Sequence, residues 1–528
     1  MSLKNYSLEI LDAINSGKIT GRKELNKFKL EISKKYGLKQ IPTNPDILSF
    51  ADGKNRKLIE MLSIKPVRTL SGVAVVAVMA KPHKCPGECI YCPTGLDAET
   101  PKSYTGKEPA AMRGLMFGFD PFKQAENRIQ QLNLIGHSTD KIELIIMGGT
   151  FLSTPQSYQE KFVKECIDAI TGEKSPDLGS AKRYAESSQR RIVGITFETR
   201  PDFCKEKEIN RMLSYGGTRV ELGVQNPSDE IYKRINRGHS VNDVVEATQL
   251  LKDSAMKIAY HLMPGLPGTE FDKELEQFKE VFSDERFMPD MLKIYPCMVI
   301  KGTKLYALWK KGKYKPYSTG EAVKFITEIK KILPYWVRVM RIQRDIPSNV
   351  IEAGVDKTNL RQLVGKEMKE KGISCNCIRC REAGIASAKN EISPENPELF
   401  VENYSASGGK EFFISLEDEK RKHLFGFCRL RSPNKPFRKE ITPSSSLIRE
   451  LHVYSPVVDL GKKPGENEFQ HRGFGKMLMG EAEKIAIEEL GCKKMVVISG
   501  LGVRDYYRKF FSYRNDGPYV SKNLNANK

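Results

Sequence analysis

The chain has 528 residues, 39% of them hydrophobic and 29% charged, which suits two or three ordinary folded domains. No stretch approaches the roughly 18 uncharged apolar residues of a membrane span, and the opening MSLKNYSLEI has no apolar core behind a basic start, so a cytoplasmic protein is expected rather than a membrane or secreted one. Lys and Arg number 86 against 66 Asp and Glu, a net charge of +20 that nominates a polyanion such as nucleic acid as partner, through counterion release.

In chain order, the first 70 residues carry 14 Lys and Arg against 7 Asp and Glu. GRKELNKFKLEISKKYG (21–37) reads as a helix that docks through Leu25, Phe28, Leu30 and Ile32 and leaves Lys23, Lys27, Lys34 and Lys35 free. A basic helical extension over 1–65 follows from this. Between 66 and 345 apolar runs alternate with helical ones. The strands are 73–79, 142–149, 192–199, 219–225, 258–264 and 291–297, and the helices 125–135, 156–170, 205–214, 240–252, 269–282 and 320–333. Six β-α units in series predict a parallel sheet closed as a partial (β/α)6 barrel, with its chemistry in the loops where strands end.

Eleven cysteines fit metal binding in a reducing compartment better than disulfides. Cys166, Cys204, Cys297, Cys428 and Cys492 read as buried small apolar residues. Cys85, Cys89 and Cys92, spaced C-x3-C-x2-C, fall in the long loop after the first strand. A zinc site wants four ligands; three thiolates from one loop suit a 4Fe–4S cluster with one iron left open. Cys375, Cys377 and Cys380 lie beyond the barrel in a polar linker, 346–395, and read as a structural zinc clip. Its fourth ligand stays open, with Cys297 and any of seven histidines eligible.

From 396 to 528 the pattern becomes an antiparallel α+β unit: two strands around a charged turn in 412–431, a strand at 446–458, a Gly-rich turn opening a helix at 470–491, and a strand at 494–500. Gln470, Gly473 and Gly475 form Q-x-x-G-x-G before that helix, where free backbone N–H groups and the helix dipole favour a pyrophosphate. Flanked by those two strands, the turn resembles that of the GNAT acetyltransferases, which implies acetyl-CoA in the groove and Tyr506 or Tyr507 near the thioester sulfur.

The barrel resembles the radical S-adenosylmethionine enzymes, on C-x3-C-x2-C with Tyr91 between ligands and on MGGT after the second strand. The resemblance implies a 4Fe–4S cluster on Cys85, Cys89 and Cys92, its open iron chelated by S-adenosylmethionine. It also implies that Gly148, Gly149 and Thr150 meet the methionine amino group, and that Glu198, Gln225 and Arg237 hold the ribose and carboxylate. Thr150 stands where many members carry Glu.

Together the halves closely resemble the catalytic-subunit family of the Elongator complex in its single-chain archaeal or bacterial form. The motifs are SYTGKEPAAMR (103–113), ETRPD (198–202), RIQRDIP (341–347), RELHVY (449–454), FQHRGFGKMLM (469–479) and GVRDYYRKF (502–510). Eukaryotic members space the first two cysteines more widely. The resemblance implies acetyl-CoA contacts from Lys141, Glu450, Leu451, His452, Val453, Phe474, Gly475, Lys476 and Tyr507. It implies tRNA as substrate, its wobble uridine converted to 5-carboxymethyluridine, a reductant as electron donor, and phosphate contacts from the N-terminal lysines, Arg341 and Arg344. The rival reading is a protein lysine acetyltransferase with a structural cluster. Monomer and homodimer are both compatible with the sequence.

Overall fold

The computed structural model describes residues 2–38, 41–48, 50, 58, 61–62, 72–93, 99–383, 397–454 and 473–524, with the backbone alone at 2, 3, 22, 23 and 45. Helices Ser2–Asn15, Arg22–Lys35 and Asn44–Leu48 build a small core from Tyr6, Ile10, Ile14, Leu25, Ile32 and Ile47. The N-terminal segment is therefore a folded helical unit rather than an arm. Leu30 does not dock: it is 50% exposed, because Leu25, Phe28 and Ile32 share a face that position 30 misses. Lys29 turns inward instead, donating to Asn44 Oδ1 at 2.8 Å.

Seven parallel strands form the first sheet, in the order β1 (Ala74–Met79), β2 (Lys141–Met147), β3 (Arg191–Thr199), β4 (Arg219–Gln225), β5 (Lys257–Leu262), β6 (Met291–Ile294) and β8 (Arg338–Ile342). β7 (Val299–Ile300) pairs instead with β9 (Ile351–Ala353). The order leaves β1 and β8 as the two edges of an open half-barrel. The seventh strand was not expected, since RVMRI puts two arginines in five residues.

The strands are not apolar on both faces. Ile142, Leu144 and Ile146 of β2, Val220 and Leu222 of β4, and Ile258 and Tyr260 of β5 join the helices in one core. Alternate residues meet on the other face, where Glu143, Arg219, Glu221, His261 and Lys293 pair across strands.

A second seven-stranded sheet runs β10 (Glu398–Ala406), β11 (Gly409–Glu417), β12 (Leu424–Ser432), β13 (Ser445–Val453), β14 (Lys494–Val497), β16 (Tyr519–Asn523) and β15 (Arg514–Asp516). All its pairings are antiparallel except β13 with β14. That parallel pair holds only from Ser445 to Ile448, after a register shift that leaves Arg449 opposite no β12 residue. Beyond it, residues 449–453 have no partner on β14 in the ladder. Helix Phe474–Glu488 packs on β11, β12 and β13.

The second sheet docks on the base of the half-barrel. Arg449 donates to Met256 O at 2.8 Å and Asp290 Oδ2 at 3.0 Å, Arg338 Nη1 to Tyr454 Oη at 2.7 Å, and Arg429 Nη2 to Trp336 O at 2.7 Å. Gly502 lies so close to Arg191 that a Cβ would fall 2.8 Å from its Cα. These barrel partners stand at or just before the first residues of β3, β5, β6 and β8. The cysteine loop leaves the other end of β1. The two candidate sites are thus at opposite ends of the half-barrel, a strand's length apart, roughly 20 Å for seven residues.

Candidate functional site

Ala80 N continues the β1–β2 ladder to Met147 O at 2.8 Å, and the chain then turns into the cysteine loop. Cys92 N closes a turn onto Cys89 O at 3.1 Å, while Leu305 N donates to Ile90 O at 2.9 Å. Each thiol has a polar neighbour: Thr150 Oγ1 is 3.9 Å from Cys85 Sγ, Ser103 Oγ is 3.8 Å from Cys92 Sγ, and Arg237 Nη1 donates to Cys89 Sγ at 3.3 Å. Burial pushes the Cys89 thiol up, but Arg237, with help from Tyr91 and Arg200, outweighs it and holds the group below its ordinary value. Cys92 is pushed up, first by burial and then by the neighbouring Cys89 charge. One stabilised thiolate, two further thiols within its field and N–H or O–H groups aimed at sulfur make a donor set that fits an iron–sulfur cluster.

Facing the loop, Gly148 (φ +128°) and Gly149 (φ +72°) end β2 in the left-handed region that favours glycine. A Cβ on Gly148 would also lie 3.0 Å from Ala80 Cβ. Thr150 is buried, and its carbonyl meets His83 Nε2 at 3.0 Å. Glu198, near the end of β3, accepts from Tyr104 Oη at 2.7 Å and lies 3.5 Å from Lys293 Nζ. Gln225 closes β4 at φ +71°. The structure therefore gathers Gly148, Gly149, Thr150, Glu198, Gln225 and Arg237 around the end of the sheet from which the cysteine loop springs.

Below them lies a group that the sequence reading missed. Glu221 is fully buried, accepts from His261 Nε2 at 2.8 Å and pairs with Lys293. Burial alone would raise its carboxyl; Lys293, His261 and Arg219 instead hold it well below the usual range. The available signal was one polar residue at alternate positions of apolar strands, as in RVEL, AYHL and LKI.

At the base, the part of β13 beyond its pairing with β14 carries the expected acetyl-CoA residues. Glu450 pairs with Arg429 Nε at 2.9 Å and with Lys257 at 3.9 Å. Burial opposes its charge, yet Lys257 and Arg429 bring its carboxyl down to about 2. His452 is lowered to about 4, first by burial and then by Arg338, Lys257 and Lys141, against the Glu450 charge. Lys141 is the first residue of β2, at the same end of the sheet as the residues that Arg449 and Arg429 meet. Burial lowers Lys141 itself.

Leu451 and Val453 line the small core beneath the helix that starts at Phe474. Gly473, at φ +87°, caps that helix, and Lys476 N folds back onto Gly473 O at 2.9 Å. Gly475 is met by Tyr506 Oη, which any side chain there would displace. Of the two tyrosines, Tyr506 thus faces the turn and Tyr507 is packed in the core, its hydroxyl raised by burial. Gln470 lies outside the described residues.

The basic candidates divide. Lys27 and Lys34 are exposed, but Lys35 is engaged by Glu9 at 2.8 Å, and only the backbone of Lys23 is described. Arg341 pairs with Asp345. Arg344 donates to Ser103 O, sits 3.8 Å from Glu108 and lies over the Tyr104 ring at 5.4 Å, so it braces the loop beside Glu198. In the linker, the sulfurs of Cys375, Cys377 and Cys380 converge within 4.8 Å of one another. Lys330 Nζ donates to Cys375 and Cys380 at 3.2 Å each, whereas Cys297 faces Tyr314 and Glu274.

Comparison with known proteins gives the family. Residues 80–281 match the Radical SAM superfamily, 289–370 the Radical_SAM C-terminal domain and 3–70 the ELP3 N-terminal domain. The chain is 52% identical over 524 residues to the tRNA uridine(34) acetyltransferase of Methanocaldococcus infernus, covering 98% of both chains. It is 45% identical over 533 residues to Elongator complex protein 3 of Saccharomyces cerevisiae, covering 98% of this chain and 95% of that one. The solved structure of the archaeal M. infernus Elp3 with an N-terminal deletion superposes with a TM-score of 0.77 at 50% identity, over 86% of this chain and all of that one. The chain belongs to the Elongator complex protein 3 family of radical S-adenosylmethionine proteins.

Proposed function

We propose that this protein modifies the wobble uridine of tRNA, building 5-carboxymethyluridine with the two carbons of acetyl-CoA. The observation that carries the reading is the three-cysteine loop, with Arg237 donating to Cys89 Sγ, set over Gly148 and Glu198 in a family whose archaeal member is named a tRNA uridine(34) acetyltransferase. Cys85, Cys89 and Cys92 would hold a 4Fe–4S cluster. With S-adenosylmethionine bound, that group supplies a 5′-deoxyadenosyl radical once a reductant has delivered an electron.

The chain's own residues do the rest. Gly148, Gly149 and Thr150 offer backbone groups to the methionine end, and Glu198, braced by Tyr104, accepts from the ribose. At the base, the 396–528 unit acts as a GNAT-like domain: Glu450 to Val453 and Lys141 line the acyl arm, and Gly473 to Lys476 offer N–H groups to the pyrophosphate. The polar inner face from Lys141 through Glu143, Glu221 and Lys293 to Glu198 joins the two ends, so the acyl arm approaches the radical site through the half-barrel. Residues 66–345 then make the radical, 346–395 hold zinc on Cys375, Cys377 and Cys380, and 1–65 grip tRNA in the cytoplasm.

Incubating the protein anaerobically with tRNA, acetyl-CoA, S-adenosylmethionine and a reductant, followed by nucleoside mass spectrometry, tests this. Carboxymethyluridine is expected. Unmodified uridine alongside acetylated lysine peptides would overturn it. For the tRNA grip, Lys27→Ala with Lys34→Ala should flatten the plot of log affinity against log salt by roughly 0.7–0.9 for each phosphate no longer neutralised. An unchanged slope would place the tRNA on another surface.

A further inference from the structure

Segment 235–239 follows the short helix Asp229–Arg234 and runs along the cysteine loop. Ile90 N donates to Ile235 O at 3.0 Å, and Asn236 Nδ2 donates to Glu88 O at 3.2 Å. Between these two ties Arg237 reaches the middle thiol, Nη1 to Cys89 Sγ at 3.3 Å. Its other nitrogens are held from behind: Nε donates to His239 Nε2 at 2.9 Å, and Nη2 donates to the carbonyl of Gly223 in β4.

An imidazole that accepts at Nε2 carries its proton on Nδ1, and His239 Nδ1 donates to Ser240 O at 3.3 Å. Arg237 is therefore the donor at each of these contacts: through His239 the donation runs on to Ser240 O, and from Nη1 it ends on the sulfur of Cys89. Arg200, paired with Asp202 at 2.8 Å, donates to Arg237 O at 2.9 Å and fixes the backbone. Gly223 makes the room: a Cβ there would lie 2.7 Å from Nη2. Arg237 is only 7% exposed, and each of its three nitrogens already has a protein partner. These contacts use three of its five N–H groups and leave one on each Nη.

We propose that Arg237 is a positioning residue for the iron–sulfur cluster, clamping the Cys89 thiolate and raising the cluster's reduction potential. The proposal rests on the reading of Cys85, Cys89 and Cys92 as cluster ligands. A reduced cluster carries one more negative charge than an oxidised one, and that charge is spread onto its sulfurs. A fixed cation with its N–H on one of those sulfurs stabilises the reduced form more. The effect needs no S-adenosylmethionine, tRNA or acetyl-CoA, which separates it from a substrate-binding role.

The test is a redox titration, followed by electron paramagnetic resonance, of the anaerobically reconstituted full chain without S-adenosylmethionine. Iron content is measured in parallel. Arg237→Gln should lower the reduced-to-oxidised ratio at a fixed potential about tenfold, which is about 59 mV for a one-electron couple. Arg237→Lys should fall between the two. Gly223→Ala, which keeps the charge but displaces the guanidinium, should shift the same way as Arg237→Gln, and it alone decides if the glutamine variant does not retain iron.

Unchanged potentials in iron-replete variants would overturn the clamp. Loss of the response to added S-adenosylmethionine alongside them would assign Arg237 to its carboxylate. A wild-type chain that takes up no cluster would instead overturn the underlying ligand assignment, and the clamp with it.

Discussion

Replacing Cys89 with alanine is expected to reduce uridine modification and release of 5′-deoxyadenosine to the level seen without enzyme. Cys89 is the middle thiol of the loop and the one that Arg237 holds towards the thiolate. Cys85 and Cys92 cannot replace it, since each sits against a different neighbour, Thr150 and Ser103. The fold should survive. The loop keeps its backbone ties from Ile90 to Ile235 and from Leu305 to Ile90, so the metal-free chain should still fold, at a cost of about 1–3 kcal/mol for leaving Arg237 Nη1 without its acceptor. A large loss of stability would make the cysteine a structural residue. Retained deoxyadenosine release would remove it from the chemistry.

The second large effect is on stability, at the joint between the two sheets. Asp290, fully buried, accepts from Arg449 at 3.0 Å and from Ile258 N at 2.8 Å, with Arg429 at 3.7 Å and Lys252 at 3.9 Å. Arg431 pairs with Asp253 at 2.6 Å, and Glu411 joins Lys252, Arg431 and Arg449. Lys252, Arg429, Arg431, Arg449, Asp253 and Glu411 are all at 1% exposure or less. Asp290→Ala leaves Arg449 buried without its main counter-charge and Ile258 N–H without an acceptor. Breaking such a pair by removing one partner costs about 3–5 kcal/mol. A denaturant series should show the loss as a lower midpoint at similar slope. A midpoint unchanged within error would mean that the sheets are held by apolar packing alone. Because the network spans both units, the base of the half-barrel and the second sheet should unfold together.

Much of this arrangement is legible in the chain itself. Val- and Ile-rich runs mark β1 to β6, since a sheet covered by helices needs apolar side chains on that face. The three-cysteine spacing and MGGT then fall at strand ends, where a β/α sheet puts its chemistry. β8 escaped because Arg338 and Arg341 break the apolar signal. Arg338 spends its charge on Glu382 and Tyr454, which no local pattern announces. β10 escaped because ELFVENYSA alternates exposed and half-buried residues at a sheet edge.

The inner-face pairs were missed for a related reason. A single Glu or Lys in a strand looks like noise until cross-strand register puts Glu221 beside His261 and Lys293. Charge counting also overstated the free cations, since Lys35, Arg341 and Arg344 already have partners. Burial of Tyr507 and exposure of Tyr506 to the Gly475 turn depended on tertiary packing, which adjacent identical residues cannot reveal.

The central claim is that three sulfurs of one loop hold a cluster with a coordination position open to S-adenosylmethionine. Electron paramagnetic resonance of the anaerobically reconstituted, reduced protein, before and after S-adenosylmethionine is added, tests it most directly. The account predicts the signal of a reduced 4Fe–4S cluster that changes shape on addition. Absence of that signal, or a signal indifferent to S-adenosylmethionine, would contradict it.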